Sequence, residues 1–290
     1  MTPTTPLLGV VFPVSYMLTS LCGGTMILDE QPTLNTAELR NELQNLALGQ
    51  QDIPIDLSDL DIDDFSDYVS QFVDSMQVYR GAMHEVSTKL EILDDEYHVR
   101  YEHNPIHHME RRIKSAKSIF GKLKKRHLPQ TIEAMQNNIY DIAGIRVICN
   151  YIDDVYAVAN MLSGQSDIEI MEVKDYISHP KESGYRSLHT IYRVPVFLTT
   201  GPRITPVEVQ FRTIAMDYWA SLEHKLRYKG NLSDDQIARH SGTLQECAST
   251  LAQVEGTMQF IHRNIIDSHV SEDDDIDLTP RSYTVIRDED

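Results

Sequence analysis

Residues 145–151 read Ile145-Arg146-Val147-Ile148-Cys149-Asn150-Tyr151, a run rich in β-branched side chains that predicts a β-strand. A helix is predicted over 153–163 and a second strand over 168–173. Alternating apolar and polar residues over 187–197 and 204–211 predict two more strands. Strands that alternate with helices in this order indicate a mixed α/β core.

Helices are predicted on both sides of this core. From residue 64 to about residue 98, apolar side chains recur at spacings of three and four, as in an amphipathic helix: Phe65, Tyr68, Val69, Phe72, Val73, Met76 and Tyr79. A helix is predicted over 214–229, and a longer one over 234–266 carries an apolar stripe: Leu244, Cys247, Leu251, Val254, Met258 and Ile261. The folded domain is therefore expected to span residues 64–268.

The acidic residues are concentrated at the two ends of the chain. The 290 residues include 44 acidic and 26 basic side chains, which give a formal net charge of −18. Residues 1–80 hold 12 acids and 2 bases, and residues 271–290 hold 8 acids and 2 bases, so the middle is close to neutral. We expect residues 1–63 to be a disordered acidic arm and residues 269–290 a disordered acidic tail. This charge disfavours an anionic membrane or a long nucleic acid as a stable partner.

Cysteine content and the first residues bear on localisation. The three cysteines, Cys22, Cys149 and Cys247, form no disulfide framework or zinc pattern, which favours a reducing cytoplasm. Residues 1–28 carry no charge and lack the positive region of a signal peptide. Prolines and glycines interrupt this leader, so no membrane helix is expected. The chain either starts at Met26 or carries a disordered leader, and the sequence leaves both open.

The segment 111–126 carries eight basic residues and no acidic one: Arg111, Arg112, Lys114, Lys117, Lys122, Lys124, Lys125 and Arg126. Such a run is typical of a solvated helix face or of a nucleic-acid patch. Beside an α/β core, a wall that binds phosphates is equally consistent with it.

Two carboxylates occur at strand positions. Asp141 precedes the strand over 145–151, and Glu208 lies inside the strand over 204–211. Alternation places Glu208, Gln210 and Arg212 on one face, which is either exposed to solvent or lines a site. If Asp141 lies on a neighbouring strand, the two carboxylates form a candidate Mg²⁺ site, because Mg²⁺ takes one or two carboxylates and completes its shell with phosphates and water.

The loop over 181–189 combines cations, a glycine turn, an aromatic ring and a histidine: Lys181, Gly184, Tyr185, Arg186 and His189. Cations bind phosphates, and an exposed tyrosine offers a stacking surface to a base. An ordinary loop with a half-buried tyrosine has the same composition, so the loop alone does not decide between a binding site and a structural role.

Taken together, these motifs resemble the synthetase domain of the RelA/SpoT family, which makes the alarmones ppGpp and pppGpp. The matching segments occur in family order over about residues 65–265: Arg112-Ile113-Lys114 with Ser118 and Lys122; Asp141-Ile142-Ala143-Gly144-Ile145-Arg146; Lys181 to His189; and Glu208-Val209-Gln210-Phe211-Arg212-Thr213 continuing to Asp217 and Trp219. Several segments in the right order and spacing form a specific signal. The resemblance implies a nucleotidyltransferase-like fold with a mixed sheet of about five strands, flanked by N- and C-terminal helices.

The resemblance also implies roles for single residues. The family transfers the β,γ-pyrophosphate of ATP to the 3′-hydroxyl of GTP or GDP. Asp141 and Glu208 would hold Mg²⁺, and Glu208 would accept the proton of the 3′-hydroxyl. The residues that would bind ATP are Arg112 and Arg146 on the adenine and Lys114, Ser118 and Lys122 on the phosphates. The residues that would bind the acceptor or the reacting centre are Lys174, Lys181, Tyr185, Arg186, His189 and Asp217, with Gln210 and Arg212 in support.

Features of the long family members are not found in this sequence. No His-Asp dipeptide occurs, so the hydrolase domain of those members is not expected. The chain resembles a small alarmone synthetase, and such proteins form homotetramers through terminal helices. The stripes at 65–79 and 244–261 suit that assembly, but they suit packing on their own domain equally well.

Two alternatives to GTP or GDP pyrophosphokinase activity stay open. The acceptor could be an adenosine nucleotide or the 3′ end of tRNA instead. The protein could also be a non-catalytic module that binds RNA or alarmone, although the two carboxylates argue against a pure anion binder. The preference among GTP, GDP and GMP, and the role of alarmone as an allosteric ligand, are not determined by the sequence.

Overall fold

The computed structural model describes residues 26–29, 41, 62–229 and 234–267 of the chain. Its elements are β1 (Met26–Asp29), α1 (Ile62–Tyr101), β2 (Ile106–Ile113), α2 (Ala116–Lys125), α3 (Ile132–Asn138), β3 (Ala143–Cys149), α4 (Ile152–Ser163), β4 (Glu169–Asp175), β5 (Leu188–Leu198), β6 (Gly201–Thr213), α5 (Ile214–Lys229) and α6 (Asp234–Asp267). Within these residues no helix has both the length and the apolar character needed to cross a membrane.

Six strands form one mixed sheet in the order β1-β2-β3-β6-β5-β4. The pairs β1–β2 and β3–β6 are parallel, and the other three neighbouring pairs are antiparallel. The predicted mixed sheet flanked by helices is thereby confirmed. The four strands and three core and C-terminal helices predicted from the sequence all occur, with ends that differ by at most three residues.

One face of the sheet is buried under α1, which packs on β2, β3, β5 and β6. Phe72 of α1 is fully buried and stacks on Phe120 of α2, with the ring centroids 5.5 Å apart. Gly81 lets α1 approach β5 closely, because a Cβ atom there would lie 2.8 Å from Cγ1 of Val196. The apolar stripe of α1 therefore packs on its own domain.

The stripe predicted for α6 is only partly buried. Leu244 and Leu251 pack on a small cluster around Trp219, whereas Val254 and Met258 are exposed. The face of α6 that turns towards the domain instead carries small or polar residues at helical spacing: Ala248, Glu255 and Gln259. The sequence pattern alone did not reveal this face, because one of these residues is small and the other two are polar, and an apolar stripe is defined by large apolar side chains.

Two strands were not predicted. Strand β1 lies inside the segment expected to be a disordered acidic arm, and for residues 26–29 that expectation is wrong, since they pair with β2. The rest of the arm up to residue 61, except residue 41, and the tail over 269–290 lie outside the described residues. Strand β2 was missed because a register shift between Ile106 and His108 breaks its alternation of apolar and polar residues.

Candidate active site

The open face of the sheet carries a row of polar side chains at directly opposed positions. In the strand registers Glu110 of β2 is opposite Arg146 of β3, Arg146 is opposite Gln210 of β6, Gln210 is opposite His189 of β5, and His189 is opposite Lys174 of β4. Opposed residues project to the same side of a sheet. Five strands therefore bring together five residues that are up to 100 positions apart in the sequence.

A second row lies next to the first, and Glu208 is at its centre. Arg112 is opposite Gly144, and Gly144 is opposite Glu208. A cleft of about 430 Å³, open to solvent, lies over the part of both rows that β2, β3 and β6 form, and it is lined by Glu110, Arg112, Gly144, Ile145, Arg146, Glu208 and Gln210. The basic segment 111–126 is thus split between the end of β2, which faces the cleft, and helix α2.

Asp141 lies just before β3 and is held by two lysines. Nζ of Lys114 lies 2.5 Å from Oδ2 of Asp141, and Nζ of Lys122 lies 3.0 Å from Oδ1. Burial acts to raise the pKa of Asp141, but the hydrogen bonds and charges of the two lysines outweigh it and hold the pKa below its ordinary value. Asp141 is therefore ionised at neutral pH.

Glu208 is held by a histidine and a glutamine. Gln210 donates from Nε2 to Oε2 of Glu208 at 2.9 Å, and Nδ1 of His189 lies 3.5 Å from Oε1. Burial and the charge of Asp141 act to raise the pKa of Glu208, but the contacts with His189 and Gln210 prevail and lower it. The charge of Asp141 acts on the pKa of Glu208, so the two carboxylates lie within electrostatic reach of one another, and their binding of a shared cation stays a prediction.

Tyr185, His189 and Arg212 form a connected group beside Glu208. The Tyr185 hydroxyl lies 2.8 Å from Nε2 of His189 and accepts a hydrogen bond from Nη2 of Arg212 at 2.6 Å. The Arg212 guanidinium lies 5.2 Å from the centroid of the Tyr185 ring. Burial lowers the pKa of His189, and Arg212 adds to this effect, while Glu208 opposes it. Arg212 also donates to Oε1 of Gln210, as expected if both lie on one face of β6.

A line of alternating charges joins the two halves of the site. Nη1 of Arg212 donates to Oδ1 of Asp217 at 3.0 Å, and Nε of Arg146 lies 3.7 Å from the same oxygen. Nη1 of Arg146 in turn donates to Oε2 of Glu110 at 2.5 Å. Asp217, which the resemblance assigns to the guanine edge, therefore faces two arginines in this structure.

The remaining candidate residues lie at the rim or outside the cleft. Ser118 is in the first turn of α2, where the Ser115 side chain caps the helix and donates to Oγ of Ser118 at 3.0 Å. Lys181 lies over the rings of Tyr176 and Tyr185, with Nζ 4.4 Å and 5.4 Å from their centroids. Lys174 pairs with Glu172 at 3.2 Å.

Arg186 is the one candidate that faces away from this group. Its Nη2 donates to the carbonyl of Ile177 at 3.4 Å, and its Nη1 lies 3.8 Å from Oε2 of Glu255 on α6. Burial raises the pKa of Glu255. Gly184, at φ 90°, brings the same loop against Ala248 of α6, since a Cβ atom at Gly184 would lie 2.7 Å from the Ala248 Cβ. The structure thus places Arg186 between the loop and the C-terminal helix.

Sequence analysis missed two residues of the site. Glu110 lines the cleft and pairs with Arg146, and His108 lies two positions earlier on β2, with Nε2 3.9 Å from Oε1 of Glu110. The spacing of His108, Glu110 and Arg112 at every second position would have indicated a strand with a polar face. The register shift at the start of β2 interrupts this alternation.

Within the described residues, no group of three or more histidine, cysteine, aspartate or glutamate side chains could hold a metal ion. The candidate Mg²⁺ site rests on the two carboxylates Asp141 and Glu208 alone. Oxygen donors of this kind suit Mg²⁺, which retains water and binds substrate phosphates. The cations Lys114 and Lys122, together with His189, face the carboxylate oxygens in this structure.

Comparison with known proteins agrees with this geometry. Residues 111–233 match the family described as a region found in RelA / SpoT proteins. The GTP pyrophosphokinase YwaC of Bacillus subtilis is 40% identical over 211 residues, which cover 73% of this chain and 100% of the relative. The crystal structure of the small alarmone synthetase 2 from B. subtilis superposes with a TM-score of 0.59 at 39% identity, covering 67% of this chain and 98% of that one.

A second solved structure is that of the small alarmone synthetase 1 from B. subtilis bound to its product pppGpp. It has a TM-score of 0.60 and 30% identity and covers 67% of this chain and 98% of that one. Identity at this level over nearly the whole of each relative goes beyond a shared fold. The chain therefore belongs to the RelA/SpoT family of enzymes, in the group of the small alarmone synthetases.

Proposed function

We propose that this enzyme transfers the β,γ-pyrophosphate of ATP to the 3′-hydroxyl of GTP or GDP, releasing AMP and forming pppGpp or ppGpp. The observation that carries the proposal is the environment of Glu208, a half-buried carboxylate that is held by His189 and Gln210 and lines the same cleft as Arg112 and Arg146. The name of the relative YwaC and the pppGpp-bound neighbour support the same substrates.

Glu208 is proposed as the general base. The 3′-oxygen of the acceptor attacks the β-phosphorus of ATP, and the bond from this phosphorus to the oxygen bridging to the α-phosphorus breaks. The proton of the 3′-hydroxyl passes to Glu208, and AMP leaves with the bridging oxygen. A base must be ionised before it can accept a proton, and the lowered pKa of Glu208 meets this requirement at neutral pH.

The donor nucleotide would occupy the side of the cleft formed by β2, β3 and α2. Lys114 and Lys122 are placed to neutralise the triphosphate, and the hydroxyl of Ser118 in the first turn of α2 can donate to a phosphate, while its backbone N–H is capped by Ser115. Arg112 and Arg146, both lining the cleft, would bind the adenine on its flat faces.

Asp141 and Glu208 are the residues proposed to hold Mg²⁺. The donor set fits the ion, because both carboxylates are ionised and repel one another. When bound, the ion would supply positive charge to the phosphoryl oxygens as charge develops on them. If the ion takes the place of Lys114 and Lys122 beside Asp141, the two lysines become available to neutralise the phosphates. AMP release in Mg²⁺ and in excess EDTA tests the metal requirement.

The acceptor would occupy the side formed by β5, β6 and the loop over 181–189. Tyr185 would stack on the base, with Asp217 at the base edge, and Lys174, Lys181 and His189 would bind phosphates. Arg186 is paired with Glu255 of α6. It can therefore contact a phosphate of the acceptor only if its side chain leaves Glu255 or if α6 moves away from the loop.

The test is an acceptor panel with release of AMP from ATP as the readout. GTP, GDP, GMP, ATP and deacylated tRNA are each offered with Mg²⁺, and the nucleotide products are separated by ion exchange. Formation of pppGpp from GTP and of ppGpp from GDP is expected. Product from ATP or tRNA alone would place the acceptor in another class, and binding of RNA with ATP left intact would remove the enzymatic proposal.

We also propose a homo-oligomer in a reducing, cytoplasmic setting. Exposed apolar side chains on α6, among them Val254, Met258 and Ile261, suit a surface that another copy covers. Cys149 and Cys247 are both free thiols. Light scattering on the purified protein tests the assembly. A tetramer is expected, and a monomer at all concentrations would exclude the oligomer. Fractionation of the host cells tests the location.

A further inference from the structure

Glu110 is a carboxylate inside a cleft that otherwise attracts phosphates. It lies on β2, lines the cleft and belongs to none of the groups with a role in the transfer described above. An unpaired acid at this place would repel a polyanion and would cost free energy by its burial. Its carboxylate has two neighbours on the sheet: Nε2 of His108 lies 3.9 Å from Oε1, and Arg146 donates to Oε2.

The contact between Glu110 and Arg146 is built into the sheet. Glu110 and Arg146 are directly opposed in the antiparallel pair β2–β3, and Nη1 of Arg146 donates to Oε2 of Glu110 at 2.5 Å. On the other edge of the same guanidinium, Nε lies 3.7 Å from Oδ1 of Asp217. Nε has no hydrogen-bond partner among the described residues, so Glu110 holds the Arg146 guanidinium by a hydrogen bond, whereas Asp217 contributes only the attraction of its charge.

A guanidinium held at its edge keeps its flat faces free for stacking on an aromatic ring. Arg146 lines the cleft, and Arg112, which also lines it, is two residues along β2 from Glu110. Arg side chains lose much rotational freedom when they are ordered on a ligand. If Glu110 orders Arg146 before ATP binds, the loss of side-chain entropy occurs in the free enzyme and does not weaken ATP binding.

Glu110 is not placed to act on the reacting atoms. Glu208 lies on β6, two strands away from β2 with β3 between them, and in the next row of side chains. Strands are about 4.8 Å apart, so the two backbones are separated by roughly 10 Å. Glu110 is therefore outside the group that acts on the reacting atoms, and Arg146 is its hydrogen-bonded partner in the cleft.

We propose that Glu110 is a positioning residue that fixes the guanidinium plane of Arg146 for the purine ring of ATP and so sets the affinity for the pyrophosphate donor. The inference rests on the proposed function, in which Arg146 binds the adenine. It assigns Glu110 to the donor side of the site, and only a small effect on acceptor binding is expected, because Arg146 reaches Asp217 through the 3.7 Å contact of Nε and no hydrogen bond.

The test compares Glu110→Gln with a matched control, Glu169→Gln. Glu169 and Arg193 are also a directly opposed Glu–Arg pair of this sheet, 3.5 Å apart, but they lie on β4 and β5 outside the cleft and are exposed. Glu110→Gln is expected to raise KM for ATP about tenfold, the scale of one lost charge-assisted hydrogen bond, with kcat and KM for GTP within about twofold. Glu169→Gln is expected to match the unaltered enzyme in all three constants.

A binding measurement separates this inference from the proposed reaction. Titration calorimetry with α,β-methylene ATP, which cannot be cleaved at the reacting bond, is expected to give about tenfold weaker binding for Glu110→Gln. In an Arg146→Ala background, Glu110→Gln should cause no further loss if Glu110 acts by positioning Arg146, because the guanidinium that it positions is absent. Glu110→Asp, which keeps the charge but withdraws it by one methylene, repeats the test if the amide impairs folding, with a smaller loss expected.

Each outcome decides between distinct explanations. If Glu110→Gln behaves like Glu169→Gln while the unaltered enzyme is active, the positioning role is wrong. A fall in kcat, an equal rise in KM for GTP, or an additive loss with Arg146→Ala would also contradict it. If the unaltered enzyme binds α,β-methylene ATP but releases no AMP, the proposed reaction fails, and the effect of Glu110→Gln on binding still tests the inference.

Discussion

The imidazole of His189 on β5 lies diagonally opposite Glu208 on the neighbouring strand β6, with Nδ1 3.5 Å from Oε1, although the directly opposed residue of Glu208 is Ile191. This contact is the first of those that lower the pKa of Glu208 against the effect of burial. Burial in turn lowers the pKa of His189 itself. The pair therefore has a carboxylate that is ionised at neutral pH and an imidazole that is neutral.

The pair predicts how activity depends on pH. Glu208 must be ionised to act as a base, so kcat/KM falls as the pH drops through its lowered pKa, and activity persists to lower pH than an ordinary glutamate allows. His189→Ala removes the contact that lowers the pKa most, so the acidic limb of the profile should move to higher pH. The measurement is AMP release as a function of pH.

His189→Asn is the matched control for that experiment. Its amide can donate a hydrogen bond from nearly the same place as Nδ1, so the acidic limb should move less than in His189→Ala. An acidic limb at the same pH in all three proteins would mean that Glu208 is not the titrating base.

Replacement of the two carboxylates predicts loss of synthesis without loss of fold. Glu208→Gln and Asp141→Asn keep the size of each side chain and remove its charge. Loss of a general base lowers kcat by roughly 10² to 10⁴-fold, so AMP release should fall by at least 10²-fold in Glu208→Gln. Circular dichroism and thermal unfolding check that the fold is retained.

The exposed variant Glu169→Gln serves as the control for the loss of one negative charge. Synthesis within about twofold of the unaltered enzyme in Asp141→Asn would remove the metal assignment of Asp141. The same result in Glu208→Gln would remove its role as base.

The ring and the hydroxyl of Tyr185 are predicted to act separately. Tyr185→Phe retains the stacking surface but loses the contacts of the hydroxyl with His189 and Arg212, so kcat should fall about tenfold while KM for GTP changes little. Tyr185→Ala also removes the ring, and KM for GTP should rise about tenfold or more, because base stacking is worth about 1–3 kcal/mol. Steady-state kinetics with GTP as the variable substrate measure both.

KM for ATP provides the internal control in the same variants and should stay within about threefold. An equal rise in both KM values would indicate that Tyr185 supports the whole cleft and does not bind the acceptor.

The contact between α1 and α2 predicts a large effect on stability. Phe72 is fully buried and stacks on Phe120, so Phe72→Ala should lower the free energy of unfolding by about 3–5 kcal/mol. Ile92 lies on the same helix but is 60% exposed, and Ile92→Ala should lower it by less than about 1 kcal/mol. Urea unfolding followed by circular dichroism measures both; equal losses would contradict the packing of α1 on its own domain.

Local pattern was sufficient for much of the fold. Periodicity identified α1, α5 and α6, and β-branched or alternating runs identified β3 to β6, because the backbone of each of these elements is regular over its length. Strand β2 escaped because a register shift interrupts its alternation, and β1 escaped because four residues form a strand only when an existing edge is available for pairing.

For the site, the sequence by itself determined the types of residue: two carboxylates, a basic segment and an aromatic loop in family order. Only the tertiary structure decided their partners. The registers of five strands set Glu110 against Arg146 and bring His189 to Glu208, and the packing of α6 takes Arg186 to Glu255. Such pairings depend on strand order and helix docking, which join residues far apart in the chain, and no local pattern encodes them.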